Sequence, residues 1–479
     1  MNYFKHKAIF NLSMYQGQAN PCGCISIRNF RLKCSLIFII CFVFISFCTY
    51  AQDNKSDAIQ FLNLDQCIVY ALQNQPAILK SSIDITIAKK TNFIKLSDWL
   101  PHVDLNGNFT HYNQLPTTFA LNSSNPEGPL VKENQGVVNS FMPILSVTQT
   151  IINADVLNAA ESAHLLVQHA KQSTDSTKIG IVANVSKAFY SLLLTMEQVN
   201  VLKEDTARLA KNLRDTYHQY IGGIVDKTDY KEAFISLNNS NAQLKQATES
   251  IKPQYSFLKQ LMGFPPEKEF SVDFDTLQMM KEITYDTTQQ LQFEKRIDYQ
   301  LLQTEKNLQL QTVKYYKNQF MPTMSAFYCY NYQYESNPHS NDLTRPYPFS
   351  YIGATISIPL FSGMQRIESI QRAKLQGQQI DLALTGLKSR IYSEYTVALA
   401  NYKSNLYELK ILEDNVAMAK DVFGVISLQY KQGVIAYLNV ITAESNLISS
   451  EISYLNSLFN VLLSKVDLEK AMGNTLSKH

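Results

Sequence analysis

Few residues of this 479-residue chain have the types and spacing for chemistry. His164 and His169 are five apart in a helical stretch, so they do not share a face. They read as ordinary helix residues, not metal ligands. The chain has no HExxH, no phosphate-binding loop, no GxGxxG after a strand and no zinc-spaced Cys/His set. The sequence predicts no catalytic residue, no metal site, no cofactor and no enzyme. The informative segments are Tyr220-Ile-Gly-Gly-Ile-Val-Asp-Lys-Thr-Asp229 and Tyr430-Lys-Gln-Gly-Val-Ile-Ala-Tyr-Leu-Asn439, which match at an offset of 210. Gly222, Gly223 and Gly433 supply a turn there, where a helix can end with a left-handed cap. Ile224, Val225, Val434 and Ile435 follow the glycines. Apolar residues exposed at such an end suit docking to a partner, although each alone also fits a buried staple of the turn.

Composition narrows the elements that must carry these turns. Lys and Arg total 43 against 41 Asp and Glu, a balance unlike that of a nucleic-acid binder. Apolar residues make up 45% and charged residues only 18%, which is enough for a large buried core. Sixteen glycines and fifteen prolines are few for this length and favour long helices. Only one long apolar run exists, Leu36–Phe47, which excludes a polytopic inner-membrane protein. Arg28, Arg31 and Lys33 precede it and Thr49-Tyr50-Ala51 follows, the order of a secretory signal. About 12 residues are short of the roughly 20 of a membrane-spanning helix, so a membrane anchor is the lesser reading. Cys48 is a candidate lipidation thiol, but Ile45-Ser46-Phe47 makes a poor lipobox. Without residues 1–51 the chain keeps 38 basic and 41 acidic residues, a net charge of −3. Cys67 and Cys329 are then the remaining cysteines, too far apart in sequence for a disulfide scaffold.

The repeat extends beyond the turns. Leu261-Met-Gly263 matches Ala471-Met-Gly473 at 210, Asn153-Ala154 matches Ser362-Gly363 at 209, and Leu100-Pro101 matches Met321-Pro322 at 221. The sequence therefore divides into a signal peptide (1–51), a first repeat (52–275) and a second (276–479). Each opens with a helix. Leu64, Cys67, Ile68, Ala71 and Leu72 form a helical stripe, predicted to run to about Trp99; Leu302 to Phe320 is its counterpart. Beyond each proline the period changes to two. Val103, Leu105 and Phe109 alternate with polar residues, as do Tyr328, Tyr330, Tyr332 and Tyr334. Strands are predicted at about 101–113, 142–152, 322–334 and 349–361. Asn-, Ser- and Pro-rich loops, Gln114–Phe141 and Glu335–Pro348, separate the members of each pair. Long helical hairpins follow over 154–263 and 364–473. The first arm of each is proline-free for about 65 residues, or about 100 Å of helix. Pro253 is expected to kink the return arm of the first.

Helices this long need partners along their whole length, as coiled coils do. Alone they would equally describe a non-channel periplasmic coiled-coil scaffold. Ten-residue strands with one apolar, Tyr-rich face and one polar face suit an outer-membrane barrel, although each alone also fits a soluble sheet. Four strands cannot close a barrel, and a bilayer tolerates no open strand edge, so the pattern calls for a ring oligomer.

The order and duplication of these landmarks resemble the TolC family of outer-membrane efflux channels, from about Leu62 to Gly473. The residues that carry the resemblance include Leu64-Asp65-Gln66, Gln75-Pro76, Leu100-Pro101, Ile358-Pro359-Leu360-Phe361-Ser362-Gly363 and the two Tyr-x-x-Gly turns. The resemblance implies a mixed α/β membrane protein that acts as a homotrimer. Each subunit would give four strands to a twelve-stranded barrel, with Tyr328, Tyr330, Tyr332 and Tyr334 against outer-membrane lipid, and its helical hairpins to a periplasmic α-barrel. It also implies passive export of small molecules, delivered by an inner-membrane RND or ABC pump through a periplasmic adaptor that meets the tips at Gly222–Val225 and Gly433–Ile435. A conduit for type I protein secretion is the alternative cargo class. The aperture would involve Asp229, Tyr430, Asn439 and Thr442. The sequence departs from the family where Thr150 stands in place of the proline kept at Pro359. Asn439 and Thr442 are neutral where the family often has an acidic ring, and Ile435 replaces a common basic partner.

Overall fold

The computed structural model describes residues 63–120, 130–272, 283–336 and 346–474. The expected signal peptide and Cys48 lie outside them. The helices are α1 (Leu64–Asn74), α2 (Pro76–Leu96), α3 (Ala154–Ile221), α4 (Lys227–Met262), α5 (Ile297–Asn318), α6 (Gln365–Lys431) and α7 (Tyr437–Met472). The strands are β1 (His102–His111), β2 (Thr117–Ala120), β3 (Val131–Asn134), β4 (Asn139–Ile152), β5 (Thr323–Ser336) and β6 (Tyr347–Ser357).

Local chemistry sets the boundaries. Asn63 caps α1 by accepting from Gln66 N at 3.0 Å, and Asn153 caps α3 by accepting from Asp155 N at 2.8 Å. The opening helix was expected to be continuous to Trp99. It breaks at Gln75, which is extended (φ −66°, ψ 122°), because the residue before Pro76 is driven out of the helical region. Pro76 then occupies the first turn of α2, where its missing N–H costs nothing. The return arm α4 runs through Pro253 without interruption. The arms α3 and α6 span 68 and 67 residues; α4 and α7 span 36 each.

Strands β1, β4, β5 and β6 form one antiparallel sheet in the order β1-β4-β5-β6, leaving β1 and β6 at the edges. The stretch expected to be a plain loop, 114–141, contains the β2–β3 hairpin, and β4 begins at Asn139 rather than 142. β6 stops at Ser357, short of the expected 361, because Pro359 has no N–H to give a ladder. Thr150 retains its N–H, and β4 continues through a register shift between Thr150 and Ile152.

The core sits where the return arms end against the middle of the first arms. Cys67, Ile68 and Ala71 of α1 pack with Val185 and Leu192 of α3, Leu258 and Met262 of α4, Tyr402 of α6, and Val461, Leu462 and Leu468 of α7. Tyr402 is 1% exposed; its hydroxyl donates to Ile283 O at 2.7 Å and accepts from Tyr285 N at 3.1 Å. A stretch of α3 is apolar enough to cross a bilayer, but most of it is buried among these helices.

Candidate functional site

The two hairpin ends share one plan. After α3, Gly222 keeps a right-handed helical conformation and Gly223 turns to φ 68°, letting Ile224 N reach Gln219 O at 2.8 Å. After α6, Gln432 and Gly433 (φ 75°) do the same, and Val434 N reaches Gln429 O at 3.0 Å. Positive φ is needed at Gly223 and Gly433 only, which explains why Gln432 can stand where the first turn has Gly222. Ile224 is 76% and Val434 68% exposed, while Val225 and Ile435 are half-buried.

The two ends are tied together. Tyr430 donates its hydroxyl to Gln219 Oε1 at 2.7 Å, and its ring lies 5.2 Å from that of Tyr437. Tyr437, Val440 and Ala233 form a small core there. Burial raises the Tyr430 hydroxyl above its ordinary range, and Asp229 and Asp215 push the same way. Burial, then the charge of Asp226, raises the Asp229 carboxyl. Among the described residues, Asp229 has no hydrogen bond or ion pair. Asn439 and Thr442 are exposed on α7 and spend their polar groups on their own helix: Asn439 Nδ2 donates to Ala436 O at 3.4 Å, and Thr442 Oγ1 to Leu438 O at 2.9 Å.

Farther from the turns lies a buried polar cluster that the sequence did not single out. Asp205 on α3 and Glu444 on α7 are each 1% exposed. Arg208 stands between them, with Nη2 3.3 Å from Asp205 Oδ1 and Nε 3.6 Å from Glu444 Oε1. Ser240 of α4 donates to Asp205 Oδ2 at 2.7 Å, and Asn212 donates to Glu444 Oε2 at 3.1 Å. Glu444 Oε1 and Arg208 Nε are buried without a hydrogen-bond partner. Asp205 and Arg208 were visible in sequence as an i, i+3 pair; nothing local connects them to Glu444.

The register sorts the sheet into two faces. Tyr328 pairs with Val147 and Ile352, Tyr330 with Leu145 and Ser350, and Tyr334 with Phe141. Val147 and Leu145 in turn pair with Val103 and Leu105, so one apolar face crosses all four strands. Ile352 on it is 82% exposed. The opposite face carries Asp104, Asn106, Ser146, Thr148, Ser325 and Cys329, with a patch of Phe327, Phe349 and Tyr351 in contact. The Tyr face foreseen from alternation is thus a continuous surface. Strict alternation would put Ile151 on this face with Leu145 and Val147, but it sits unpaired at the register shift, and Ile152 takes the place opposite Met324.

A long-armed helical body joined to a two-faced, four-stranded open sheet is the fold of outer-membrane channel proteins with known structures. CusC matches with a TM-score of 0.68 at 14% identity, over 88% of this chain and 95% of that one. VceC of Vibrio cholerae matches at 0.65 and 16% identity, over 86% and 96%. MtrE of Neisseria gonorrhoeae, in its open state, matches at 0.66 and 17% identity, over 86% and 89%. In sequence, the outer membrane efflux protein family model matches residues 67–264. Outer membrane protein TolC of Vibrio cholerae is 18% identical over 440 residues, 90% of this chain and 95% of that protein. Over residues 67–264 the chain is thus similar in sequence to the outer membrane efflux protein family, and over most of its length it shares the fold of these channels.

Proposed function

We propose that the chain is one third of a trimeric outer-membrane channel that gives passive exit to small molecules across the periplasm and the outer membrane. The observation that carries the reading is the sheet. It has an apolar face across four strands, a largely polar opposite face, and unpaired edges at β1 and β6. Three copies joined edge to edge make a twelve-stranded closed barrel with Tyr328, Tyr330, Tyr332 and Tyr334 toward lipid. The matched arm lengths in the two halves, and the exposed Ile411, Met418 and Val425 seven residues apart on α6, support repeats that pack subunit to subunit into an α-barrel.

The pump that drives export is a separate inner-membrane protein of RND or ABC type, met through a periplasmic adaptor. The adaptor contacts are Gly222–Val225 and Gly433–Ile435, where exposed Ile224 and Val434 offer apolar anchors. Asp229, Tyr430, Asn439 and Thr442 line the periplasmic aperture. With neutral Asn439 and Thr442, the closed state depends on fewer ionic contacts than an acidic ring would supply. Residues 1–51 direct export and are removed. The test is purification from outer-membrane fractions followed by planar-bilayer recording. Heat-modifiable, SDS-resistant trimers with discrete conductance are expected. A monomer without conductance, found in the soluble periplasm, would leave the coiled-coil scaffold as the reading.

A further inference from the structure

Asp205, Arg208 and Glu444 lie between the two helical hairpins: the first two on α3, the third on α7, more than 230 residues away in sequence. Two carboxylates share one guanidinium, and both are almost sealed from water. With both ionised, the cluster carries one uncompensated negative charge in a poorly solvated place, which is costly. With one proton on the pair, the cluster is neutral. Glu444 Oε1 meets Arg208 Nε at 3.6 Å, an ion-pair contact too long for a hydrogen bond, so the shared guanidinium compensates that carboxylate only in part.

The other groups facing the cluster do not supply the missing positive charge. From α3 come Arg208 and the neutral Asn212; from α4 comes Ser240, already donating to Asp205. On α7, Glu451 adds negative charge toward Asp205, and Lys420 of α6 is engaged with Glu451 at 3.2 Å. Tyr437, one further α7 neighbour, is itself disfavoured from ionising by burial and by the charge of Glu444.

We propose that Asp205, Arg208 and Glu444 form a proton-operated clasp that holds α7 of the second hairpin to α3 of the first, tight when the carboxylate pair keeps one proton and loosened when it loses it. Burial, then the charge of Asp205, pushes the Glu444 carboxyl up to about 7, against an ordinary value of 4.5. Opening the contact returns Glu444 to water and to that ordinary value. Its folded value is the raised one, so the stabilisation is full below about 4.5 and declines as pH rises through about 7. The consequence for gating rests on the channel reading above; the clasp itself does not.

The test uses the full-length processed chain in detergent micelles. Amide exchange across residues 437–450, corrected for intrinsic rates, reads the opening of α7. In the wild-type chain the opening constant should rise by up to about tenfold per pH unit between about pH 5 and 7, then level off, because one proton is released on opening. Glu444→Gln, which mimics the protonated form, should stay flat, within about twofold, at the low-pH level. Asp205→Asn removes the competing charge and should move the midpoint of the rise to lower pH. A wild-type chain without the rise, a Glu444→Gln chain that keeps it, or an unmoved Asp205→Asn midpoint would each overturn the clasp. If Glu444→Gln does not fold, the Asp205→Asn midpoint decides. Conductance is recorded in parallel: its absence in every variant removes the channel reading while the exchange slopes still judge the clasp.

Discussion

Gly263 is pressed against the carbonyl of Asn74: a Cβ added at Gly263 would lie 2.7 Å from that oxygen and 2.9 Å from Gln75 Cα. This contact seats the end of the first hairpin on the joint between α1 and α2. Gly473 holds the matching place at the end of the second hairpin, where a Cβ would lie 3.0 Å from Lys295 O. Both glycines have positive φ, 69° and 77°.

Gly263→Ala should therefore combine backbone strain with a collision against main chain that cannot move aside. A loss of about 2–3 kcal/mol is expected, seen as a lower denaturant midpoint with an unchanged slope. Gly223→Ala, with positive φ but open space around it, should cost only about 1 kcal/mol. Equal losses at the two positions would contradict the contact.

Arg296 is 5% exposed and joins three elements. It donates to Ala471 O at 3.1 Å, closing the end of α7, and pairs with Asp298 and Glu394 at 2.8 Å each. Arg296→Met should cost about 2 kcal/mol, since the half-exposed carboxylates can rehydrate but the α7 carbonyls lose their donor. Arg296→Lys should recover only part, because an ammonium lacks the fork that serves three partners. Thermal unfolding of the two variants checks the order.

The two faces of the sheet can be separated by labelling. Cys329 is on the polar face, opposite Ser146 and Tyr351. Cys67 is fully buried in the core, and burial pushes its thiol up to about 12. A charged methanethiosulfonate reagent should modify Cys329 in the assembled protein at about pH 8 and leave Cys67 untouched, because the thiolate is the reactive form. Ile352→Lys on the apolar face should cost about 2–4 kcal/mol in the membrane, while Asn106→Lys on the polar face should be tolerated. Sensitivity of SDS-resistant assembly to Asn106→Lys but not Ile352→Lys would reverse the assignment of faces, and sensitivity to both or to neither would contradict it.

Tyr430→Phe removes the hydroxyl that holds Gln219. A loss of about 1 kcal/mol in coupling between the hairpin ends is expected, read in the proposed trimeric channel as a higher open probability in bilayers with unchanged assembly stability. Asp229 has no partner among the described residues of its own subunit. Asp229→Ala should leave the isolated subunit's stability unchanged. A change in conductance in the same variant would then report a contact between subunits in the proposed channel, and no change would remove Asp229 from the proposed aperture.

Much of the fold was legible because its signals are local and repeated. Proline-free arms, the period change after Pro101 and Pro322, and glycine at the turns placed the long helices and four main strands within a few residues. The misses also have local causes. Gln75 leaves the helix because Pro76 follows it. The β2–β3 hairpin is made of four-residue strands too short to show a period. Ile151 drops out of the strand pairing because a register shift is invisible to alternation. At the hairpin ends the sequence identified the turns but not that Tyr430 would bind Gln219.

The sequence by itself determined the elements and their order, because helix period, strand alternation, proline and glycine act over a few neighbouring residues. It also identified Tyr328 to Tyr334 as one face. The tertiary structure alone decided that this face continues through Leu145 and Val147 to Leu105 and Val103, since strand register is a pairing between distant segments. It alone brought Glu444 to Asp205 and Arg208. The protonation of a buried carboxylate depends on what is packed around it, and no local pattern along the chain encodes that neighbourhood.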